Sequence, residues 1–161
     1  MTGLLEAIEQ SGIATWVRES PSIFAYTLVL SLHAIGLSIV VGLSSIVGLR
    51  LVGKFSGIPV EPLLKLYPVM YFGFAINAIS GLLLLMANAT GMMTMFMFYL
   101  KMSFVVAAMI VLERMRRSFS NGTIAVDGRK LATMLLAFWF VAIITGRLTS
   151  YPYMIASWFG G

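Results

Sequence analysis

Apolar positions along the chain fall into four long runs, at about residues 22–49, 66–89, 95–113 and 131–151, separated by short polar connections. At ~1.5 Å rise per residue, a hydrocarbon core of ~30 Å takes about twenty apolar residues in a helix. The first run exceeds that length between Ile23 and Leu49 without a charged residue. The pattern predicts an all-α polytopic membrane protein, a single domain built as a four-helix bundle. Residues 3–18 read differently. Leu5, Ile8 and Trp16 fall on one helical face and Glu6, Glu9 and Gln10 elsewhere, ahead of a break at Ser20 and Pro21. This predicts an amphipathic helix lying in the membrane interface. No basic region with a short apolar core and a small-residue cleavage site opens the chain, so the first span is expected to be retained.

Spacing within the runs indicates which faces meet protein. In the first, Thr27, Ser31, Ser38, Gly42 and Ser45 form one stripe of small residues, and His33 lies opposite with Tyr26, Gly36, Val40 and Ser44. Small residues let helix backbones approach, so both faces are expected to be covered by neighbouring helices. In the second run, Gly73, Asn77, Ser80 or Gly81, Leu84 and Asn88 recur every three or four residues, an inner stripe in which the asparagines hydrogen-bond within the bundle. Turns are expected at 120–122 and 127–128, and an aromatic tail follows Tyr151.

Composition removes several classes of function. The chain is 60% hydrophobic and 11% charged, against roughly a quarter charged in soluble domains. It has no cysteine, which excludes disulfides, thiolate metal sites and covalent haem attachment through C-x-x-C-H. The net charge of +5 reflects topology and not nucleic acid. Arg50, Lys54 and Lys65 in the first connection, with Arg114, Arg116, Arg117, Arg129 and Lys130 in the third, make eight of the eleven basic residues. These connections are expected on the cytoplasmic side, with both termini outside, in a bacterial inner membrane.

In that orientation His33 is eleven residues below Ser22, about 16 Å into the membrane. An intramembrane histidine needs a polar partner or a ligand. One reading makes it the axial ligand of a b-type haem in the outer half of the bundle, with Gly36 leaving room for the porphyrin and Lys101 and Arg147 facing the propionates. Asn88 and Tyr151 lie on the same side, and Met102, Met86 or a second protomer would supply a further iron ligand. The protein would then carry electrons. The alternative is a histidine bonded to a serine, tyrosine or backbone carbonyl, in a non-catalytic subunit of a larger membrane complex or a homo-oligomer, with lipid or quinone near Arg147. Met92, Met93, Met95 and Met97 admit a copper site, since thioethers suit Cu(I). No nucleophile, base and orienting group stand together, so soluble-type catalysis is not expected.

The segments SLHAIG (31–36), LRLVG (49–53), GLLLLMANA (81–89), FYLKM (98–102) and TGRLTSY (145–151) resemble a family of small four-span bacterial membrane proteins designated only as a domain of unknown function. The resemblance covers most of the chain, and its matching positions are His33, Gly36, Arg50, Lys101, Arg147 and Tyr151. Where that pattern often has an acidic residue before the Leu-Arg pair, this chain has Gly48. The likeness implies fold and topology and no particular activity. The first span is also loosely similar to histidine-bearing helices of copper-resistance and cytochrome-b-type membrane proteins, which implies redox chemistry.

Overall fold

The computed structural model of the chain describes residues 2–59, 61–120, 124–149 and 151. Among them all regular structure is helical: α1 (Thr2–Glu9), α2 (Gly12–Glu19), α3 (Tyr26–Val52), α4 (Glu61–Leu64), α5 (Tyr67–Ala87), α6 (Ala89–Met93), α7 (Phe96–Ser120) and α8 (Ile124–Leu148). Four stretches are long and apolar enough to cross a bilayer, Tyr26–Val52, Glu61–Ala87, Phe96–Phe119 and Asp127–Leu148. The chain is a multi-pass membrane protein with the all-α, four-span architecture that the hydropathy pattern predicts. It divides into two compact units, Met1–Leu43 with Lys65–Thr94, and Ser44–Leu64 with Met95–Gly161.

Helix ends differ from the apolar runs because hydropathy registers the bilayer and hydrogen bonding registers the helix. Residues ahead of Tyr26 form turns in which Ser20 and Ser22 hydroxyls accept from the amides of Ser22 and Phe24, so α3 starts four residues later than the apolar run. At its other end Gly53, with φ of 102°, closes a Schellman turn: Lys54 N–H donates to the Leu49 carbonyl and Gly53 N–H to that of Arg50. Arg50 donates onward to the Ile58 carbonyl. Helix α7 runs on to Ser120, past the expected end near Glu113, because that carboxylate binds Arg116 and Arg117 at 2.8 and 2.7 Å along the helix. Asp127 and Gly128, expected as a turn, lie in the first turns of α8, where an acidic side chain suits the helix N-terminus. The expected turn at 120–122 falls largely outside the described residues, as does the tail beyond Tyr151.

The expected interfacial helix is two short helices. Ser11 separates them, its hydroxyl donating to the Ile8 carbonyl at 2.7 Å and accepting from the Ala14 amide at 3.4 Å, which ends α1 and caps α2 in one residue. Trp16 is exposed, whereas Ala14 and Val17 are fully buried, and Val17 packs with Val29, Ala87, Leu83 and Leu84 at one end of the α3–α5 pair. Opposite charges tie this cap down. Glu9 accepts from the Thr90 amide at the start of α6 (2.7 Å), and Arg18 donates to the Ala87 carbonyl at the end of α5 (3.3 Å), each satisfying a backbone group that a helix end leaves open.

In the first unit, α3 and α5 meet through glycines. A Cβ added at Gly36 would stand 2.6 Å from both the Asn77 nitrogen and the Gly73 oxygen, and one at Gly73 would stand 2.6 Å from Ile39 Cγ2. Within this unit Thr27, Ser31, Ser38 and Gly42 are exposed, and the face with Val29, Gly36 and Val40 is buried. The hydroxyls of Ser31 and Ser38 bond their own helix, to Thr27 and Ala34 carbonyls. In the second unit, Ala108, Val111, Leu112 and Met115 of α7 and Ala132, Leu135, Trp139 and Ala142 of α8 are buried at three- and four-residue spacing. Gly48 of α3 fits against Leu136 there.

Gly36→Ala must push backbone against backbone and is expected to destabilise the protein by about 1–3 kcal/mol. Gly42→Ala enters open space, with nothing within 4 Å, and is expected to leave stability unchanged or raise it by up to about 1 kcal/mol, alanine being the better helix former. Denaturant unfolding of both variants in detergent measures the difference.

Candidate functional site

One turn from the Gly36 crossing, the side chain of His33 enters the face of α5. Its Nδ1 is 2.9 Å from the Asn77 carbonyl oxygen and 3.3 Å from Ser80 Oγ. Asn77 answers with its own side chain, Nδ2 donating to the His33 carbonyl at 2.8 Å and lying 3.3 and 3.5 Å from the two ring nitrogens. Beneath the ring is Gly81, where a Cβ would stand 2.9 Å from His33 Cε1. The imidazole is thus held by two helices, with its edge in a space that only glycine leaves.

These bonds define the tautomer. A carbonyl oxygen can only accept, so the proton between Nδ1 and Asn77 belongs to Nδ1. The Ser80 hydroxyl donates to the Ile76 carbonyl at 2.6 Å, with the Asn77 oxygen 3.1 Å away, so towards the imidazole it is also an acceptor. In the neutral imidazole, Nε2 is then the nitrogen with the lone pair, the atom that accepts a proton or binds a metal. A histidine nitrogen that coordinates iron or zinc has its ring fixed in the same way, by donation from the other nitrogen to a carbonyl or carboxylate.

The α3–α5 register brings these groups to one level. His33 is seven residues after Tyr26, the start of α3, and Ser80 is seven residues before Ala87, the end of the antiparallel α5. Because α3 starts at Tyr26 and not at Ser22, His33 lies about 10 Å along its helix, a turn closer to the end than the apolar run implies. The room that Gly36 leaves is taken up by the α5 backbone and not left open for a porphyrin. Asn88 stands apart from the histidine. It is the exposed C-cap of α5, eight residues beyond Ser80, and its side chain lies over Gly91. Of the two asparagines expected to hydrogen-bond within the bundle, Asn77 does so and Asn88 is exposed at a helix end; the stripe also carries Ser80 or Gly81, and the pairing of Asn77 and Ser80 with His33 needs the equal depths along two antiparallel helices.

The remaining candidates belong to the second unit. The Lys101 side chain, half-buried, crosses Gly146 of α8, with Cδ and Cε 3.3 Å from the position of a Cβ there. Arg147 donates to the Tyr151 hydroxyl at 2.9 Å and its guanidinium sits 5.1 Å from the centre of that ring. Met102 is exposed on α7. The four clustered methionines are divided, Met92 and Met93 in α6 of the first unit, Met95 and Met97 in the second. No group of three or more His, Asp or Glu suited to a metal ion occurs among the described residues. Comparison with protein-family models, curated proteins and solved structures gave no match.

Nitrogen NMR of the imidazole in protein labelled with ¹⁵N-histidine, the chain's single histidine giving one spin system, is expected to place the proton on Nδ1 and the unprotonated resonance on Nε2. In Gly81→Ala the new methyl displaces the ring, and the same spectrum is expected to lose the Nδ1–H signature or broaden between tautomers.

Proposed function

We propose that the protein is a membrane-embedded b-type haem protein that carries electrons, with His33 Nε2 as an axial ligand. The observation that carries this reading is the bond from His33 Nδ1–H to the Asn77 carbonyl, because it turns Nε2 into the donor atom and holds the ring in one plane. Haem, when bound, supplies the one-electron exchange that none of the side chains around the histidine can perform. The protein's part is positional. Asn77 sets the tautomer and strengthens the imidazole as a donor through its carbonyl, Ser80 adds a second acceptor at Nδ1, and Gly81 leaves space for the ring edge. The glycine crossing of α3 and α5 fixes the distance over which these groups act. The basic connections support an orientation with the His33 end of α3 towards the outside of a bacterial inner membrane.

The competing reading follows from the same geometry. Asn77 and Ser80 satisfy an intramembrane imidazole that ties α3 to α5, and the chain is then a non-catalytic subunit of a larger membrane assembly. Expression with a haem precursor, purification in mild detergent and absorption spectra before and after dithionite separate the two. The haem reading expects a Soret band that sharpens on reduction, lost in His33→Ala although the variant stays in the membrane, and partly restored by added imidazole. A colourless, folded protein, or a band that survives His33→Ala, overturns it; in the colourless case the chain is assigned to the subunit reading.

A further inference from the structure

The chain's six acidic residues are Glu6, Glu9, Glu19, Glu61, Glu113 and Asp127, so none lies in 62–112 or 128–161. Yet Lys101, in the second turn of α7, and Arg147, in the last turn of α8, are both in these stretches. The Lys101–Gly146 contact brings them to the same end of the antiparallel α7–α8 pair, the end away from the basic 114–130 connection. Among the described residues neither cation is paired with a carboxylate.

Both side chains are placed. A lysine near a helix end ordinarily extends its ammonium outward to water. Here the notch at Gly146 draws the Lys101 stem across α8, and Nζ lies 3.6 Å from the position a Cβ would take there. The Gly146 carbonyl, which would otherwise attract that ammonium, already accepts from Thr149 Oγ at 2.7 Å. The guanidinium of Arg147 is restrained by the Tyr151 hydroxyl and ring. Below it, Phe140 and Ile144 continue the same helical face at four- and three-residue steps, and both are exposed. That face is an apolar track of about two turns ending at the restrained Arg147 guanidinium, with the Lys101 stem crossing the adjacent Gly146.

We infer that Lys101 and Arg147 form a binding site for the phosphate group of an anionic phospholipid, whose acyl chains lie along Phe140 and Ile144. The phosphodiester supplies the absent counter-charge, the guanidinium and ammonium supply hydrogen bonds to its oxygens, and the apolar track accounts for a lipid and not a free anion. The inference does not depend on haem at His33, which lies in the other unit.

Native mass spectrometry of the full chain, delipidated in detergent and titrated with dioleoylphosphatidylglycerol or dioleoylphosphatidylcholine, tests it. The expected result is one retained phosphatidylglycerol, with affinity about fivefold weaker in Lys101→Met and roughly thirtyfold weaker in Lys101→Met combined with Arg147→Gln. Lys101→Arg is expected to keep the binding, and circular dichroism to show each variant folded. Equal retention by the native chain and the double variant, or equal retention of phosphatidylcholine, overturns the proposal. So does displacement of the lipid by millimolar inorganic phosphate, which would make this a free-anion site. A colourless protein that still retains phosphatidylglycerol would defeat the haem reading and leave this one standing.

Discussion

An imidazole in an apolar span has to be satisfied by the helix beside it, and that requires two helix axes to come close. In this protein the closeness comes from Gly36, where the α5 backbone leaves no space for a methyl group, and Gly73, where the Ile39 side chain leaves none. The bonds among His33, Asn77 and Ser80 follow from that contact, since side chains of these lengths meet only when the helices are near. In lipid there is little hydrophobic drive for two helices to associate, so dispersion at a tight crossing and hydrogen bonds of about 0.6 kcal/mol each must supply it. Structure and chemistry therefore share the same few residues in the first unit.

The two units solve the association problem differently. Helices α7 and α8 of the second bury a ladder of apolar side chains in which Leu112, Met115, Leu135 and Trp139 alternate with Ala108, Ala132 and Ala142. Helices α3 and α5 use small residues and a polar node within the span. A ladder of apolar side chains tolerates small adjustments in register. A glycine crossing with directed hydrogen bonds does not, and the candidate chemistry is found there.

Much of this was legible in the chain. Hydropathy located four spans, and the three- and four-residue recurrence of Gly73, Asn77 and Ser80 marked the buried face of α5, because small and polar residues on an apolar helix have little reason to face lipid. The bonding of His33 to a backbone carbonyl and a serine was among the arrangements the sequence allowed. The buried face of α3 was not legible. Its serine-rich stripe and its histidine face have the same small-residue character, and serines that bond their own helix, as Ser31 and Ser38 do, place no demand on a neighbour. Nor was the Ser11 break between α1 and α2, since one hydroxyl with two local bonds leaves no mark on the periodicity of apolar residues.

The acceptor that orients His33 is the main-chain oxygen of Asn77, and every residue that could occupy position 77 possesses that oxygen. Side-chain changes at this position leave the acceptor in place so long as the α5 helix keeps its path. The tautomer is thus buffered against drift at the residue that determines it, and its vulnerability is displaced onto Gly36 and Gly73, whose close packing sets where that oxygen lies. Over evolutionary time such a site would preserve its chemistry through the glycines of a helix crossing, and the apparent ligand-orienting residue would be free to vary.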